Sequence, residues 1–447
     1  MKKRKYFIRT FGCQMNVADS DSIGQHLAGL GMEYASDVAA ADIVFINTCS
    51  VRQQAEQRAL SFVGRLEPFK RANSRLKVVV VGCMAQREGQ RLQKQLPIID
   101  LVIGSKDIER FPEIIAGFLS PGTKEDPLMQ NPGYSGNSGF AGETPDQGSA
   151  HNRTSAFVTI MRGCENFCSY CIVPLVRGPE KSRPAREIIA EIETKVRGGA
   201  RDITLLGQNV NSYRSGDTDF PELLALANNI RGLDRIRFMT SHPKDFSDRL
   251  IDTVADLDKV CEHLHLPLQS GSDRVLASMN RRYTSADYRC IVDKLRKHIP
   301  DAALTTDIMV GFPGETDDDF SATLDLLRAV EFDFLFAFKY SPRPGTAAAS
   351  LSDSVPVALK EQRHSRVLEM IRGISTQKNA KLVNTIQEVL VEGARDGQFV
   401  GRTRTNKRVF FSCDASRVGH LIDVRITGIK LNSLTGIPAE RPSADYA

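Results

Sequence analysis

Gly163-Cys164-Glu165-Asn166-Phe167-Cys168-Ser169-Tyr170-Cys171 places three thiols within eight residues. The run follows an apolar segment, 156–161, that reads as a strand, so the thiols fall on a loop at a strand's carboxyl end. Barrels of alternating strand and helix build their active sites on that side. A closed structural zinc site needs four ligands. No fourth Cys or His lies nearby except His151, in a Gly- and Pro-rich stretch. Four-iron clusters also usually take four thiolates, so three would leave one iron open to a ligand or substrate. The readings are structural zinc, unliganded core cysteines, or a three-thiolate cluster, and the spacing favours the last.

Working outward, the loop opens a long alternation of strand and helix patterns. Strands are expected at 156–161, 202–206, 235–240, 263–267, 304–310 and 335–340, with helices such as 186–197, 220–230, 285–298 and 317–329 between them. Six units suggest a partial (β/α)6 barrel over 153–375, short of the eight of a closed one. Residues 1–119 alternate in the same way. Strands are expected at 6–11, 42–47, 77–82 and 101–104, and the runs Ile-Val-Phe-Ile and Val-Val-Val-Val are apolar on both faces, as buried parallel strands are. This reads as a doubly wound α/β domain. The stretch 120–152 is rich in Gly, Pro, Ser and Asn and reads as a linker. Residues 376–440 change to turn-punctuated strand patterns, a small all-β, OB-like module, and 441–447 form a tail.

A second set of thiols is dispersed. Cys13, Cys49 and Cys83 each follow an expected strand of the first domain, in Phe-Gly-Cys, Asn-Thr-Cys and Val-Gly-Cys. Carboxyl ends of neighbouring strands in a doubly wound sheet line one crevice, so the three are expected to converge. The alternative is three small buried cysteines that happen to sit near strands. Cys261, Cys290 and Cys413 show no pattern and read as core residues.

Composition agrees with a multidomain globular protein: 447 residues, 25% charged and 41% hydrophobic, with no Trp. No apolar run is long enough to span a bilayer. The basic start lacks the apolar region of a secretory signal, so a cytoplasmic protein without membrane association is expected. Nine cysteines, an odd number without an export signal, speak for metal or redox chemistry rather than disulfides. No Ser-His-Asp set or paired carboxylates stand out.

Cys-x-x-x-Cys-x-x-Cys opening a β/α barrel is the signature of radical S-adenosylmethionine enzymes. The three-part arrangement resembles the methylthiotransferases, with a C-terminal domain of the TRAM type. Within that group the chain is similar to the MiaB family, the tRNA-2-methylthio-N6-dimethylallyladenosine synthases. The run that discriminates is Thr10-Phe11-Gly12-Cys13-Gln14-Met15-Asn16, supported by Asn47-Thr48-Cys49-Ser50-Val51-Arg52, Gly82-Cys83-Met84-Ala85-Gln86, Ser241-His242-Pro243 and Asp307-Ile308-Met309-Val310-Gly311-Phe312-Pro313-Gly314. One departure is Pro174-Leu175-Val176-Arg177-Gly178, where many relatives carry an aromatic after the proline. Relatives that modify threonylcarbamoyladenosine in tRNA, or an aspartate of a ribosomal protein, differ around the first Cys, and these activities are the enzymatic alternatives. An iron–sulfur carrier or RNA-binding module is the non-enzymatic one.

The resemblance implies two four-iron clusters. Cys164, Cys168 and Cys171 would hold the one that binds S-adenosylmethionine and cleaves it to a 5′-deoxyadenosyl radical. Cys13, Cys49 and Cys83 would hold an auxiliary cluster that carries sulfur. One S-adenosylmethionine would methylate that sulfur, and a second would supply the radical that takes hydrogen from C2 of the target adenine. Contacts to S-adenosylmethionine are expected from Gln208, Asn209, Gln269, Ser270, Asp307 and Gly311. The partners implied are tRNA with an isopentenylated adenosine beside the anticodon, an electron donor such as flavodoxin or ferredoxin, and an iron–sulfur or sulfur donor. Residues 376–440 carry ten Lys/Arg and six Asp/Glu, +4 of the chain's net +5. Arg402, Arg404, Lys407 and Arg408, followed by Phe410 and Phe411, are expected to contact RNA phosphates and bases.

Overall fold

The computed structural model describes residues 3–50, 53–120, 154–395, 397–430 and 432–439. The expected linker beyond Ser120, His151, Val51, Arg52 and the tail 441–447 lie outside the described residues.

The N-terminal domain is a parallel sheet in which Lys5–Phe11, Ile43–Thr48, Lys77–Gly82 and Leu101–Gly104 lie side by side, with the short Glu33–Tyr34 at one edge. The alternation of its strands explains their all-apolar sequences. Val44, Ile46, Val78 and Val80 face one layer with Ala59, Val63 and Met84, whereas Ile43, Phe45, Val79 and Val81 face the other with Ile23, Leu27, Phe111 and Ile115. Both faces are covered by helices, so Ile43–Thr48 is buried throughout, and Lys77–Gly82 throughout apart from Lys77.

Six further strands form two parallel triplets. Ser155–Thr159, Asp202–Leu206 and Arg235–Phe238 pair in chain order, as do His263–His265, Ala303–Val310 and Phe334–Lys339. The bridge Ile236 to Val260 and the Ser241 N–H on the His265 carbonyl join the triplets. The sheet thus curls as a partial barrel around one large core that includes Val158, Ile203, Leu205, Ile236, Leu264 and Leu304. The helices outside it include Ala185–Arg197, Ser285–His298 and Asp317–Val330. The last two are each opened by a capping box, Thr284 with Asp287 and Thr316 with Asp319.

The helix Val357–Ala380 packs along Phe334–Lys339 and runs across the expected 375/376 junction. Beyond it lies a closed five-stranded barrel: Ile386–Arg395, Gln398–Thr403, Arg408–Phe411, Ser433–Pro438 and Leu421–Lys430. Ser433–Pro438 was not expected as a strand. It closes the barrel by pairing parallel to Arg408–Phe411 and antiparallel to Leu421–Lys430.

The turn 402–408 of this barrel inserts at the amino ends of the larger barrel's strands. Arg235 is wholly buried and donates to the carbonyls of Arg402 and Glu388. Arg237 donates to the carbonyls of Thr403 and Arg404 while pairing with Asp202 at 2.8 Å. The small module therefore closes the barrel mouth opposite the Cys164 loop.

Candidate active site

The parallel register explains how three distant cysteines meet. Phe11 is aligned with Thr48, and Thr48 with Gly82, so the three strands end level. Cys13, Cys49 and Cys83 follow within two residues along that edge. Cys13 caps the helix Gln14–Gly29 and Cys83 begins the helix Cys83–Glu88. The approach is close: a Cβ on Gly12 would lie 2.9 Å from that of Cys49, and one on Gly82 would lie 2.5 Å from the Thr48 carbonyl. Gly82 also has φ of 101°, a conformation that favours glycine. Asn16 secures the edge by accepting from the Cys13 N–H and donating to Asn47 Oδ1 and the Thr48 carbonyl.

Hydrogen bonding with Cys49 holds the Cys13 thiol down at about 6, with burial opposing and Arg177 assisting. Burial pushes the Cys83 thiol up, while Arg177 beside it works the other way. Thiolates are the ligating form, so a cationic neighbour suits a metal-binding triad.

The second triad sits on a loop with little freedom. Gly163, at φ of 73°, has no room for a side chain, because a Cβ would meet the Pro179 carbonyl at 1.8 Å. Its N–H donates to Gln208 Oε1 at 2.7 Å, and the Cys164 N–H to the Gly178 carbonyl. Asn280 Nδ2 holds the Asn166 and Phe167 carbonyls from across the barrel. Arg281, fully buried, donates to Cys168 Sγ at 3.4 Å and to the Pro267 carbonyl, and lies against Tyr283. Burial pushes the Cys164 thiol up to about 11 and that of Cys171 up to about 12.

Among the described residues no three His, Cys, Asp or Glu are gathered tightly enough for one metal ion. Neither set of three is engaged in a disulfide, and three thiolates suit a four-iron cluster that leaves one iron open. Unpartnered buried atoms, Ser50 Oγ and Arg177 Nη1 in one domain pair and Asn209 Oδ1, Ser241 Oγ and His242 Nε2 at the barrel's carboxyl end, agree with sites that await a polar occupant. The residues present therefore fit two clusters and a polar small molecule.

The expected small-molecule contacts divide. Asn209 keeps Oδ1 free while Nδ2 holds Asp245, and Asp307 is partly exposed, 3.6 Å from His265 Nε2. Gln208 is committed to Gly163, and Gln269, at φ of 72°, forms a backbone bridge to Ile308. Ser270 bonds Thr323 and the Ser272 N–H. Gly311 gives its N–H to Glu315 and is covered by Lys360. Ser270 and Gly311 thus serve the loops themselves.

The basic hairpin also differs from expectation. Arg404 is bound to Glu262 and to the Asp258 and Val260 carbonyls, Lys407 to Asp333 and Asn379, and Arg402 to Glu392. Arg404 and Lys407 therefore dock the module onto the barrel, because acidic groups distant in sequence lie at the strands' amino ends. Among the described residues Arg408 alone of the four has no ion pair. Cys290 is exposed rather than part of a core, since Tyr288, Val292 and Leu295 take the buried face of its helix.

The two domains meet through residues that sequence reasoning did not single out. Asp19, on Gln14–Gly29, pairs with Arg162 at 2.9 Å and Arg177 at 3.0 Å, all buried. Arg177 Nε also donates to Cys83 Sγ at 3.3 Å. Nothing in the local sequence marks these partners, which lie 94 to 158 residues apart.

Residues 5–104 match the family described as UPF0004, 158–327 the Radical SAM superfamily and 380–439 the TRAM domain. A tRNA-2-methylthio-N(6)-dimethylallyladenosine synthase of Acetivibrio thermocellus is 46% identical, covering 97% of this chain and 91% of its own. One from Pelotomaculum thermopropionicum is also 46% identical, covering 97% of both. The radical S-adenosylmethionine methyltransferase TsrM of Kitasatospora setae, solved with tryptophan and a S-adenosylmethionine analogue, superposes with a TM-score of 0.57 at 15% identity, over 78% of this chain and 75% of that one. This last likeness concerns the fold alone. Near-complete coverage at such identity shows that the chain belongs to the tRNA-2-methylthio-N(6)-dimethylallyladenosine synthase family of radical S-adenosylmethionine enzymes.

Proposed function

We propose that this protein transfers a methylthio group to C2 of N6-isopentenyladenosine beside the anticodon of tRNA. Family membership supports the reaction, and the observation that carries its assignment to residues is that Cys83 of one three-thiol set packs on Ile172 and Val176, just past Cys171 of the other. When bound, a cluster on Cys164, Cys168 and Cys171 supplies the electron that cleaves S-adenosylmethionine, and one on Cys13, Cys49 and Cys83 supplies sulfur.

The chain's own part is positional. Gln208 and Gly163 hold the Cys164 loop at the strand end, and Asn280 and Arg281 hold its far side. Asn209 Oδ1, Ser241 Oγ and His242 Nε2 present polar atoms at the barrel's carboxyl end. Burial keeps His242 neutral, its pKa lowered to about 2; Nδ1 accepts from the Lys244 N–H, so Nε2 carries the proton and faces the barrel end as a donor. The C2–H bond of adenine is too unreactive for the acid–base groups present, which is the chemical reason for radical cleavage. Phosphate contact by the C-terminal module falls to Arg408 and the exposed Arg425 and Lys430, the last lying over Phe410.

An electron donor of the flavodoxin or ferredoxin type and a sulfur or iron–sulfur donor complete the cycle in this reading, which suits a cytoplasmic protein. No helix among the described residues is long and apolar enough to cross a membrane. The test is anaerobic incubation of reconstituted protein with S-adenosylmethionine, a reductant and isopentenylated tRNA. Digestion and mass analysis should find one methylthio group on the purine beside the anticodon. Product on threonylcarbamoyladenosine instead would overturn the substrate assignment.

A further inference from the structure

Arg177 ties the segment that follows Cys171 to Cys83 of the other set. It ends the helix Val173–Arg177, which begins two residues after Cys171, and it reaches into the other domain. There its Nε donates to Cys83 Sγ at 3.3 Å and its Nη2 to Asp19 Oδ2 at 3.0 Å. The surrounding contacts are buried: Cys83 packs with Ile172 and Val176, and Ser105 Oγ donates to the Val176 carbonyl. Arg162 shares the Asp19 carboxylate but makes no bond to sulfur. One carboxylate thus sits between two guanidiniums, and only one of them touches a thiol.

We infer that Arg177 is a positioning residue that holds the Cys83 sulfur to the segment leaving the Cys164 loop and draws electron density from it. The inference rests on the reading of Cys13, Cys49 and Cys83 as cluster ligands. An N–H donated to a ligating sulfur stabilises the more negative, reduced state of a cluster and raises its reduction potential. The low-dielectric surroundings strengthen that effect. The same bond fixes the distance between the sulfur-bearing edge of one domain and the radical loop of the other.

The experiment uses the full chain with Cys164, Cys168 and Cys171 replaced by Ala, so that only the N-terminal set can hold iron. Arg177→Met and Arg162→Met are compared in that background. Each removes one positive charge and leaves Asp19 paired with the remaining arginine, which avoids a stranded buried charge. Potentiometric titration followed by electron paramagnetic resonance should show the midpoint moved to more negative potential by Arg177→Met, and by clearly less in Arg162→Met. Loss of iron from Arg177→Met alone, with unchanged circular dichroism, also supports the holding role. Equal shifts in the two variants, or none in either, would overturn it. Absence of iron from the parent background would instead refute the ligand assignment on which it rests.

Discussion

Arg404 of the C-terminal barrel is paired with Glu262 of the central barrel, Nη2 to Oε1 at 2.6 Å, and its Nη1 and Nη2 also hold the Asp258 and Val260 carbonyls. The cluster of positive charge that looks like an RNA patch in the sequence is therefore largely an intramolecular fastener.

The consequence for tRNA binding is direct. Arg404→Ala should leave the salt slope of tRNA affinity unchanged and make the C-terminal module more open to limited proteolysis. Arg408→Ala combined with Lys430→Ala should flatten that slope, by up to about two in log–log terms if each contacts a phosphate. Titrations at several salt concentrations separate the two outcomes. A flattened slope in Arg404→Ala alone would contradict the docking role.

Arg237 carries more weight in that interface. Replacing it with Met removes two hydrogen bonds to the hairpin and leaves Asp202 buried without its partner. The expected loss is about 3–5 kcal/mol, read as a lower thermal midpoint of the transition that includes the C-terminal barrel. Replacing Asp202 with Asn in the same variant should recover part of it.

Gln208 serves the Cys164 loop through one bond to the Gly163 N–H. Gln208→Leu leaves that donor unsatisfied at a cost of about 1–3 kcal/mol. Iron bound by the Cys164 set and S-adenosylmethionine cleavage should fall together, while iron on the Cys13 set stays. Iron analysis in backgrounds lacking one or the other set measures this.

His242 predicts an acid limit. Burial holds its pKa at about 2 in the folded protein, against about 6.5 when unfolded. The unfolded state therefore takes up a proton below about pH 6.5 that the folded state refuses. Stability contributed by neutral His242 is complete above that pH and is lost as pH falls towards about 2. His242→Asn keeps an acceptor at the start of the short Pro243–Asp245 turn. The thermal midpoint of the apoprotein should fall less between pH 6.5 and 4 in this variant than in the parent.

Much of the architecture was legible because its determinants are local. Val78 to Val81 had to be covered on both faces, and strands ending in Gly-Cys or Thr-Cys had to line one edge once they lay parallel. The strand Ser433–Pro438 was not legible, because Gly436 and Pro438 read as turn residues and only barrel closure makes the segment extended. The helix Val357–Ala380 shows no composition break where the sequence suggested a boundary. Long-range partners were the main loss. A basic run declares its charge but not its counterions, so Glu262 and Asp333 could not be foreseen for Arg404 and Lys407. Nor could the two arginines beside sulfur, Arg177 on Cys83 and Arg281 on Cys168, since only the folded chain brings them there.

The division of labour between the two thiol sets is tested most directly by the triple variant Cys13→Ala/Cys49→Ala/Cys83→Ala. Reconstituted anaerobically with S-adenosylmethionine, reductant and isopentenylated tRNA, it should still release 5′-deoxyadenosine, with about half the iron of the parent if each set holds one cluster. It should form no methylthio product, and Cys164→Ala should yield neither. Methylthiolated tRNA formed over several turnovers by the triple variant would contradict the account.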